Sequence, residues 1–362
     1  MGIQDLNKLL KEESPLSFSK HPMSTFSGKK VGIDAFGWLF RFLRASGDEG
    51  VLPSFLSHIC ALRKNGVLVF CVFDGPECPE EKRKERENRK KDRDELIEKK
   101  KNLERILEEF DEDCEVVSEE MQQDARKWIQ KKKYASVDLS DPSNFSRTVL
   151  ESLGSYTKQS EPLTNKRVES VKTLLDILGV RYVCAKGEAD GILSAYVVKE
   201  KLFAACSADT DVHAYGVPFA IPEVDTSSET VTLVHREQYL EDLGLTEKQF
   251  LDLCIMCGCD YNDRATQEAK TAGKRPRGIG WKTALSLIRK HGSLEEIEKV
   301  PGIDMGALNY KRCRELFQLP EQIEEIPPGG KPEKQELASF FEENDVHFDV
   351  DYVIDCWCPI DI

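Results

Sequence analysis

The stretch Val67–Gly75, VLVFCVFDG, is an unbroken apolar run that ends in an acidic residue, Asp74, and a glycine. Its length and its β-branched and aromatic content predict a strand that is buried on both faces. Three more strands are predicted on the same grounds, at Lys30–Ala35, Arg181–Ala185 and Leu202–Ser207. They alternate with helical patterns, at Leu52–Lys64, Val168–Leu178 and Asp190–Lys199. This alternation predicts an α/β fold, a parallel sheet with helices on both faces.

The rest of the chain falls into segments of other kinds. A short strand pair, Pro218–Pro222 and Thr230–Val234, is predicted at the edge of the sheet. From Pro76 to about Lys133 the sequence is almost entirely charged, which predicts a solvated helix outside any core. Residues Tyr134–Pro162 have no clear period and are predicted to be a partly mobile insertion. Further helices are predicted at Thr246–Cys257, Trp281–His291, Leu294–Val300 and Glu333–Glu343.

The composition excludes several classes of protein. No apolar run approaches the roughly 20 residues of a membrane span, and the N-terminus lacks a secretory pattern. We therefore expect an intracellular protein without a membrane partner, nuclear if its source is eukaryotic. The net charge of −14 disfavours nucleic acid, but Lys82–Lys101 and Lys270–Arg277 are basic clusters. Because local charge determines phosphate binding, a nucleic-acid partner stays open.

Acidic residues stand where the predicted elements end. Seven of them directly follow strands or an apolar helix: Asp34, Asp74, Glu188, Asp190, Asp209, Asp211 and Asp260. The carboxyl ends of parallel strands line the ligand crevice of an open sheet, so these acids are expected to converge. One such aspartate is equally well explained as a helix cap, but seven cannot all be caps.

Converging carboxylates repel one another unless cations lie between them. Mg²⁺ prefers oxygen ligands and is commonly shared with substrate phosphates. Two such ions roughly 4 Å apart are the arrangement for in-line hydrolysis of phosphodiesters. The residues therefore predict a metal-dependent site for phosphoryl transfer.

Several segments together resemble the flap endonuclease or XPG-type family of structure-specific 5′ nucleases. They occur in that family's order: MGIQDL, VGIDAFGWLF, VFDG, GEAD, SADTDVHAYG, LGLTEKQFLDLCIMCGCDY and RGIGWKTALSLI. The resemblance implies a PIN-like parallel-sheet core with a helical arch and a helix–two-turn–helix motif that binds DNA. It also implies a hydrolase that acts in DNA replication and repair, with DNA carrying a 5′ flap or junction as its substrate.

The resemblance assigns roles to the seven acids. Those matching Asp74, Glu188 and Asp190 hold one Mg²⁺, and those matching Asp209 and Asp211 hold the other, with Mn²⁺ as a substitute. Asp34 and Asp260 act largely through water.

The resemblance also makes the basic helix after Asp74 an arch whose Lys82 and Arg89 reach the scissile phosphate. The spacing from Asp74 is one residue longer than the family's, so Arg83 and Arg86 stay candidates.

Further residues are expected to contact DNA. The resemblance implies contacts at Gly2, Phe40, Arg277, Gly278, Gly280 and Lys282, with K⁺ bound at the helix–two-turn–helix motif. Arg289 and an insertion at Asn262–Pro276, with Lys270, Lys274 and Arg275, are expected to extend the phosphate contacts, although a flexible partner loop explains the insertion equally well. No sliding-clamp peptide is evident, and a monomer is expected.

The sequence leaves the branch of the family open. The Phe36–Trp38 segment favours a 5′-to-3′ exonuclease, and the short loop between Ala45 and His58 puts a pocket for a 3′ flap in doubt. A nuclease-derived scaffold that binds without cutting is a third hypothesis, although such proteins usually lose carboxylates.

The predicted domains are a nuclease region at 1–110, an arch or insertion at 111–165, a second nuclease region at 166–235, a duplex-binding region at 236–325 and a C-terminal helix and tail at 326–362.

Overall fold

The computed structural model describes residues 2–111, 114–130, 132–267 and 277–357. Its main sheet has these strands in chain order: β1 Phe18–Pro22, β2 Lys30–Asp34, β3 Leu68–Phe73, β4 Arg181–Cys184, β5 Ala204–Cys206, β6 Phe219–Asp225 and β7 Thr230–His235. Across the sheet they are ordered β1-β7-β6-β5-β2-β3-β4. A small second sheet contains β8 Thr266–Gln267, β9 Arg277–Gly278 and β10 Ile303–Asp304.

The helices precede, connect and follow these strands. In chain order they are α1 Leu6–Glu13, α2 Ala35–Ser46, α3 Asp48–Lys64, α4 Arg83–Glu109, α5 Glu119–Trp128, α6 Pro142–Ser160, α7 Asn165–Ile177, α8 Ala189–Val198, α9 Asp211–Ala214, α10 Arg236–Leu243, α11 Glu247–Cys257, α12 Trp281–His291, α13 Leu294–Ile297, α14 Tyr310–Leu316, α15 Lys334–Glu343 and α16 Val350–Asp355. In the described part of the chain, none of them combines the length and apolar content of a membrane span.

The central strands of the main sheet are parallel, as the sequence predicted. Strand β2 pairs in parallel with β3 and β5, and β4 and β6 extend the parallel run on the two sides. In register, Asp34 of β2 lies opposite Val72 of β3, and Ile33 lies opposite Cys206 of β5. The strands therefore end almost level, so residues that directly follow them emerge along one edge.

The chain divides into two compact units. The sheet unit comprises Met1–Trp38, Phe55–Lys82 and Ser170–Ile362, and the helical unit comprises Leu39–Ser54 and Arg83–Glu169. In the sheet unit, one apolar core runs from the sheet to α11 and α12, and the rings of Tyr239 and Phe250 stack within it. Helix α11 begins where the sequence predicted, because Thr246 and Gln249 cap it reciprocally.

The helical unit has its own core, which corrects two predictions. Residues Tyr134–Pro162 were expected to be a mobile insertion, but most of them form α6, which Asp141 caps through the Asn144 amide at 2.8 Å. The apolar face of α6, with Phe145 and Val149, is fully buried. The charged stretch is helical as expected, but its last turns bury Leu103 and Ile106, so it does contribute to a core.

A third correction concerns the edge of the main sheet. The predicted pair exists as β6 and β7, but β1 covers it, pairing Phe18 with Val234 and Pro22 with Thr230. Strand β1 was not predicted, because it is only partly buried and ends in proline.

Candidate functional site

The structure places the seven acids at the ends of elements of the sheet unit, as expected from the strand pattern. Asp34 is the last residue of β2, and Asp74 directly follows β3. Glu188 and Asp190 flank the first residue of α8, and Asp211 begins α9. The other two members, Asp209 and Asp260, lie in the turns after β5 and α11. Parallel strands that end level therefore supply most of the set.

Asp34 is held by two hydrogen bonds at the start of α2. Its Oδ1 accepts the Gly37 amide at 2.8 Å, and its Oδ2 accepts the Ser207 hydroxyl at 3.0 Å. A β-carbon on residue 37 would lie 2.3 Å from Asp34 Oδ2, so only glycine leaves room for the carboxylate. Burial raises the pKa of Asp34 to about 6, although the Gly37 bond opposes this effect. Ser207 and Gly37 are positioning residues that the sequence did not reveal.

A close approach between two loops brings Asp74 beside Glu188 and Asp190. The Gly75 amide donates to the Gly187 carbonyl at 2.6 Å, and a β-carbon on Gly75 would lie 2.0 Å from the Ala185 carbonyl oxygen. Asp74 Oδ1 then accepts the Ala189 amide at 2.7 Å, in the first turn of α8. Asp74, which follows β3, thus caps α8, the helix that follows β4.

Two of the acids carry oxygens that find no hydrogen-bond donor among the described residues. These oxygens are Oδ1 of Asp190 and both carboxylate oxygens of Asp211, and all are buried. Burial, reinforced by the charge of Asp209, raises the pKa of both residues well above the usual range of aspartate. An orphaned buried carboxylate is costly, so such a cluster needs positive charge.

Lys82 supplies one such charge from within the sheet unit. Its Nζ lies 2.5 Å from Glu188 Oε1 and 3.3 Å from Asp260 Oδ2. Burial by itself would lower the pKa of Lys82, but Glu188, Asp211 and Asp260 outweigh it and raise the pKa. The ammonium group is therefore firmly protonated, and the structure brings this predicted residue into the carboxylate cluster.

The other candidates of the basic stretch belong to the helical unit. Arg89 pairs with Glu85, and Arg83 pairs with Glu87 at 3.3 Å, both one turn apart on α4. Phe40, on α2, is 37% exposed. Their roles toward DNA stay predictions.

Gly2 packs against the carboxylates and stands where no larger residue fits. Its φ is +77°, and a β-carbon there would lie 2.1 Å from Asp209 Oδ1 and 2.6 Å from Asp211 Oδ1.

The sequence analysis assigned no role to Tyr261, although this residue directly follows Asp260. Its hydroxyl donates to Glu188 Oε2 at 2.6 Å and so holds the carboxylate that Lys82 contacts.

On the nuclease activity that the resemblance implies, replacing Gly2 by alanine is expected to lower cleavage at least 10-fold, because the new methyl group displaces Asp209 or Asp211. Gly28→Ala is a matched control: Gly28 has φ +75°, and a β-carbon there meets nothing within 4 Å. The control should lose some stability through backbone strain but keep its turnover. Turnover of a labelled flap duplex, with thermal melting of both variants, measures the difference. Equal turnover in the two variants would contradict the inference that a β-carbon at Gly2 displaces the carboxylates.

A basic face on α12 forms a second candidate surface. Lys282 Nζ lies 3.0 Å from Glu12, and Arg289 lies 3.9 Å from Glu13. Both cations line an open groove of about 400 Å³ that also includes Trp281 and Lys290. Gly280 is the N-cap residue of α12, and Gly278 lies in β9. The basic face is therefore already paired with acids of α1.

Part of the predicted DNA-binding region lies outside the described residues. The insertion predicted at Asn262–Pro276 is described only as far as Gln267, so Lys270, Lys274 and Arg275 fall outside. Arg277 is described as part of β9, without its side chain.

Comparison with known proteins finds two matching domain models. Models of the XPG N-terminal domain and the XPG I-region match residues 1–96 and 179–260. The chain carries both of these XPG domains. The XPG I-region match contains Glu188, Asp190, Asp209, Asp211 and Asp260, and the N-terminal match contains Gly2, Asp34, Asp74, Lys82 and Arg89.

Individual XPG-family relatives agree along nearly the whole chain. Flap endonuclease 1 of Zea mays is 29% identical, over 94% of this chain and 82% of the relative, and that of Xenopus tropicalis is 28% identical, over 94% and 81%. Among solved structures, the flap endonuclease of Methanococcus jannaschii matches with a TM-score of 0.60 at 23% identity, covering 96% of each chain. The catalytic core of Rad2 with a DNA substrate matches with a TM-score of 0.61 at 16% identity, covering 98% of each chain. The predicted family and fold are confirmed.

The donor set of this XPG-family chain fits a hard divalent cation. All seven candidate ligands are carboxylates, and three of their oxygens are buried without a hydrogen-bond donor in the described part of the chain. Within that part, no group of three acidic, histidine or cysteine side chains is already arranged to hold an ion. Instead, the Lys82 ammonium group lies between two of the acids, Glu188 and Asp260.

The metal-free protein is expected to lose stability as the pH rises, relative to an Asp34→Asn variant. The pKa of Asp34 is raised to about 6, whereas an unfolded aspartate titrates near pH 4. Between these values the folded state holds a proton that the unfolded chain has released, so the free energy of unfolding falls with rising pH. Denaturant titrations in EDTA across this window, with the variant subtracted, measure this contribution. A difference that rises with pH would contradict it.

Proposed function

We propose that this protein is a metal-dependent, structure-specific 5′ nuclease that hydrolyses DNA phosphodiesters at 5′ flaps or single-strand/duplex junctions. The observation that carries the proposal is the set of seven carboxylates at the ends of elements of the sheet unit, two of which, Glu188 and Asp260, contact Lys82. The family match supports it, as do relatives named flap endonuclease 1 that align over 94% of the chain.

Asp74, Glu188 and Asp190 would hold one Mg²⁺, and Asp209 and Asp211 would hold a second. When bound, these ions would polarise the scissile phosphate and stabilise the charge that develops on it. Asp34 and Asp260 would act through water. The buried oxygens of Asp190 and Asp211, which lack donors in the described residues, support this division because they have full capacity to bind cations.

The chain's own residues would orient the reacting groups. Tyr261 fixes Glu188 by a hydrogen bond, and the Gly75–Gly187 contact fixes Asp74 relative to α8. When a phosphate enters, Lys82 would release Glu188 and Asp260 and donate to a phosphate oxygen, which stabilises developing negative charge. Arg89 would assist from α4.

The α12 face would grip the duplex through its backbone, which positions the substrate without sequence selection. Lys282, Arg289 and the main chain at Arg277–Gly280 would contact phosphates, with K⁺ beside them, and Phe40 would stack on a base near the cut. We further propose that the protein acts as a monomer without a clamp peptide and, in a eukaryotic source, in the nucleus.

Cleavage of a 5′-labelled flap duplex, beside blunt and recessed duplexes, tests the proposal with Mg²⁺ and with EDTA. Release of the intact flap oligonucleotide only with Mg²⁺ is the expected result. Mononucleotides from recessed ends would assign the exonuclease branch instead. Salt-sensitive binding without cleavage of any substrate would overturn the enzymatic function and favour a binding scaffold.

A further inference from the structure

A pocket opens at the amino-terminal ends of the same parallel strands, opposite to the edge that carries the acids. It measures about 190 Å³ and is lined by residues at the starts of β2, β3 and β4, including Lys30 and Arg181. The extended segment 326–330 and Trp357 form its other walls. All of these residues belong to the sheet unit.

The walls of this pocket are fixed by main-chain contacts. The Gly330 amide donates to the Gly179 carbonyl at 2.8 Å, and Arg181 Nε donates to the Pro328 carbonyl at 2.9 Å. Gly179 has φ +66°, and a β-carbon there would lie 2.4 Å from Gly330 Cα. The segment is therefore anchored to the sheet, and the pocket is preformed.

The pocket is cationic and has no acidic wall among its described residues. Lys30, Arg63 and Arg181 line it, and none of them forms an ion pair with a described carboxylate. The guanidinium of Arg63 lies 5.2 Å from the Trp357 ring centroid, and its Nε is buried without a hydrogen-bond acceptor in the described residues. A buried donor without a partner costs roughly 1–3 kcal/mol.

We propose that this pocket binds a small phosphate monoester. Guanidinium groups match phosphate oxygens in geometry and charge, and two of the three cations are arginines. A cavity of about 190 Å³ admits a phosphate with a few carbon atoms and excludes a DNA duplex. Its remaining walls are glycine, proline, aliphatic and aromatic residues, which would contact the organic part of the ester. This site is separate from the proposed nuclease site.

Calorimetric titration of the full chain in EDTA tests the proposal with three probes: inorganic phosphate, glycerol 3-phosphate and a 5′-phosphorylated oligonucleotide. We expect one saturable site for glycerol 3-phosphate, at least 10-fold weaker in Arg63→Gln and Arg181→Gln. Lys64→Gln on the same helix, where Lys64 pairs with Glu229, is the matched control and should bind normally. Lys282→Gln controls for the basic face of α12 and should also bind normally.

Several outcomes would overturn the proposal. Absence of saturable binding would do so, as would binding that Lys282→Gln weakens and Arg181→Gln leaves unchanged. Equal affinity for inorganic phosphate and the ester would exclude contact with an organic group. Preference for the oligonucleotide that Arg181→Gln abolishes and Lys282→Gln leaves unchanged would reassign the ligand to a nucleic-acid end. If Arg63→Gln does not fold, Arg181→Gln decides the outcome, because Arg181 is exposed.

Discussion

Replacing Asp211 by asparagine is expected to lower flap cleavage by at least about 10³-fold while making the metal-free protein more stable. Asp211 is 1% exposed, and neither of its carboxylate oxygens has a hydrogen-bond donor among the described residues. An amide is neutral, so the variant removes a buried charge that Asp209 repels. It also removes a hard ligand for the metal, so cleavage is lost.

The two effects of Asp211→Asn are measured separately. Single-turnover cleavage with Mg²⁺ reports on catalysis, and thermal melting in EDTA reports on stability. Asp345→Asn is the matched control, because the Asp345 side chain is 91% exposed and the same chemical change there should alter neither quantity. Retention of near-full cleavage would refute the ligand assignment, and a lower melting temperature would refute the account of repulsion.

Lys82→Met is expected to reduce the rate of cleavage by about 10²-fold and to destabilise the metal-free protein. Methionine keeps much of the side-chain volume but removes the charge between Glu188 and Asp260. Removing one partner of a buried ion pair leaves the other charges uncompensated, which costs several kcal/mol. The rate falls because a positioned cation near the transferring phosphoryl group stabilises the transition state.

A matched variant separates this effect from the general loss of a lysine. Lys201 also pairs with a glutamate, Glu325 at 2.9 Å, but its side chain is 43% exposed, so Lys201→Met should change neither rate nor stability. Single-turnover rates at saturating DNA, together with melting in EDTA, measure both. If Lys82→Met cuts at the wild-type rate, Lys82 is a structural counter-ion without a catalytic role.

The sequence predicted the positions of the acids because strand ends are easy to locate. Apolar runs such as Val67–Phe73 mark their own boundaries, and a residue that follows a parallel strand has only one edge to occupy. The sequence could not predict how the acids are held. Ser207 and Tyr261 act across the fold on Asp34 and Glu188, from 173 and 73 residues away, and no local pattern marks such partners.

The helical unit was harder to predict for a different reason. The face of α6 that carries Phe145, Val149 and Tyr156 also contains Ser152, so its apolar stripe is diluted by small polar residues. In α4 the apolar residues begin only at Leu96, and the two that are buried, Leu103 and Ile106, lie in the last turns, so the long charged run before them dominates any average. Both helices were therefore underestimated as parts of a core.

The acidic residues of α1 compete with incoming anions for the basic face of α12. Glu12 and Glu13 occupy Lys282 and Arg289, so an incoming phosphate has to displace them. Exposed ion pairs of this kind contribute about 0–1 kcal/mol each, so displacing both costs at most about 2 kcal/mol. A duplex presents many phosphates, so its binding free energy exceeds the cost of displacing the two glutamates. A short or flexible polyanion with one or two contacts does not exceed that cost. If the α12 face binds DNA as proposed, a strongly acidic protein would thus present a basic surface to DNA and still discriminate against smaller anions.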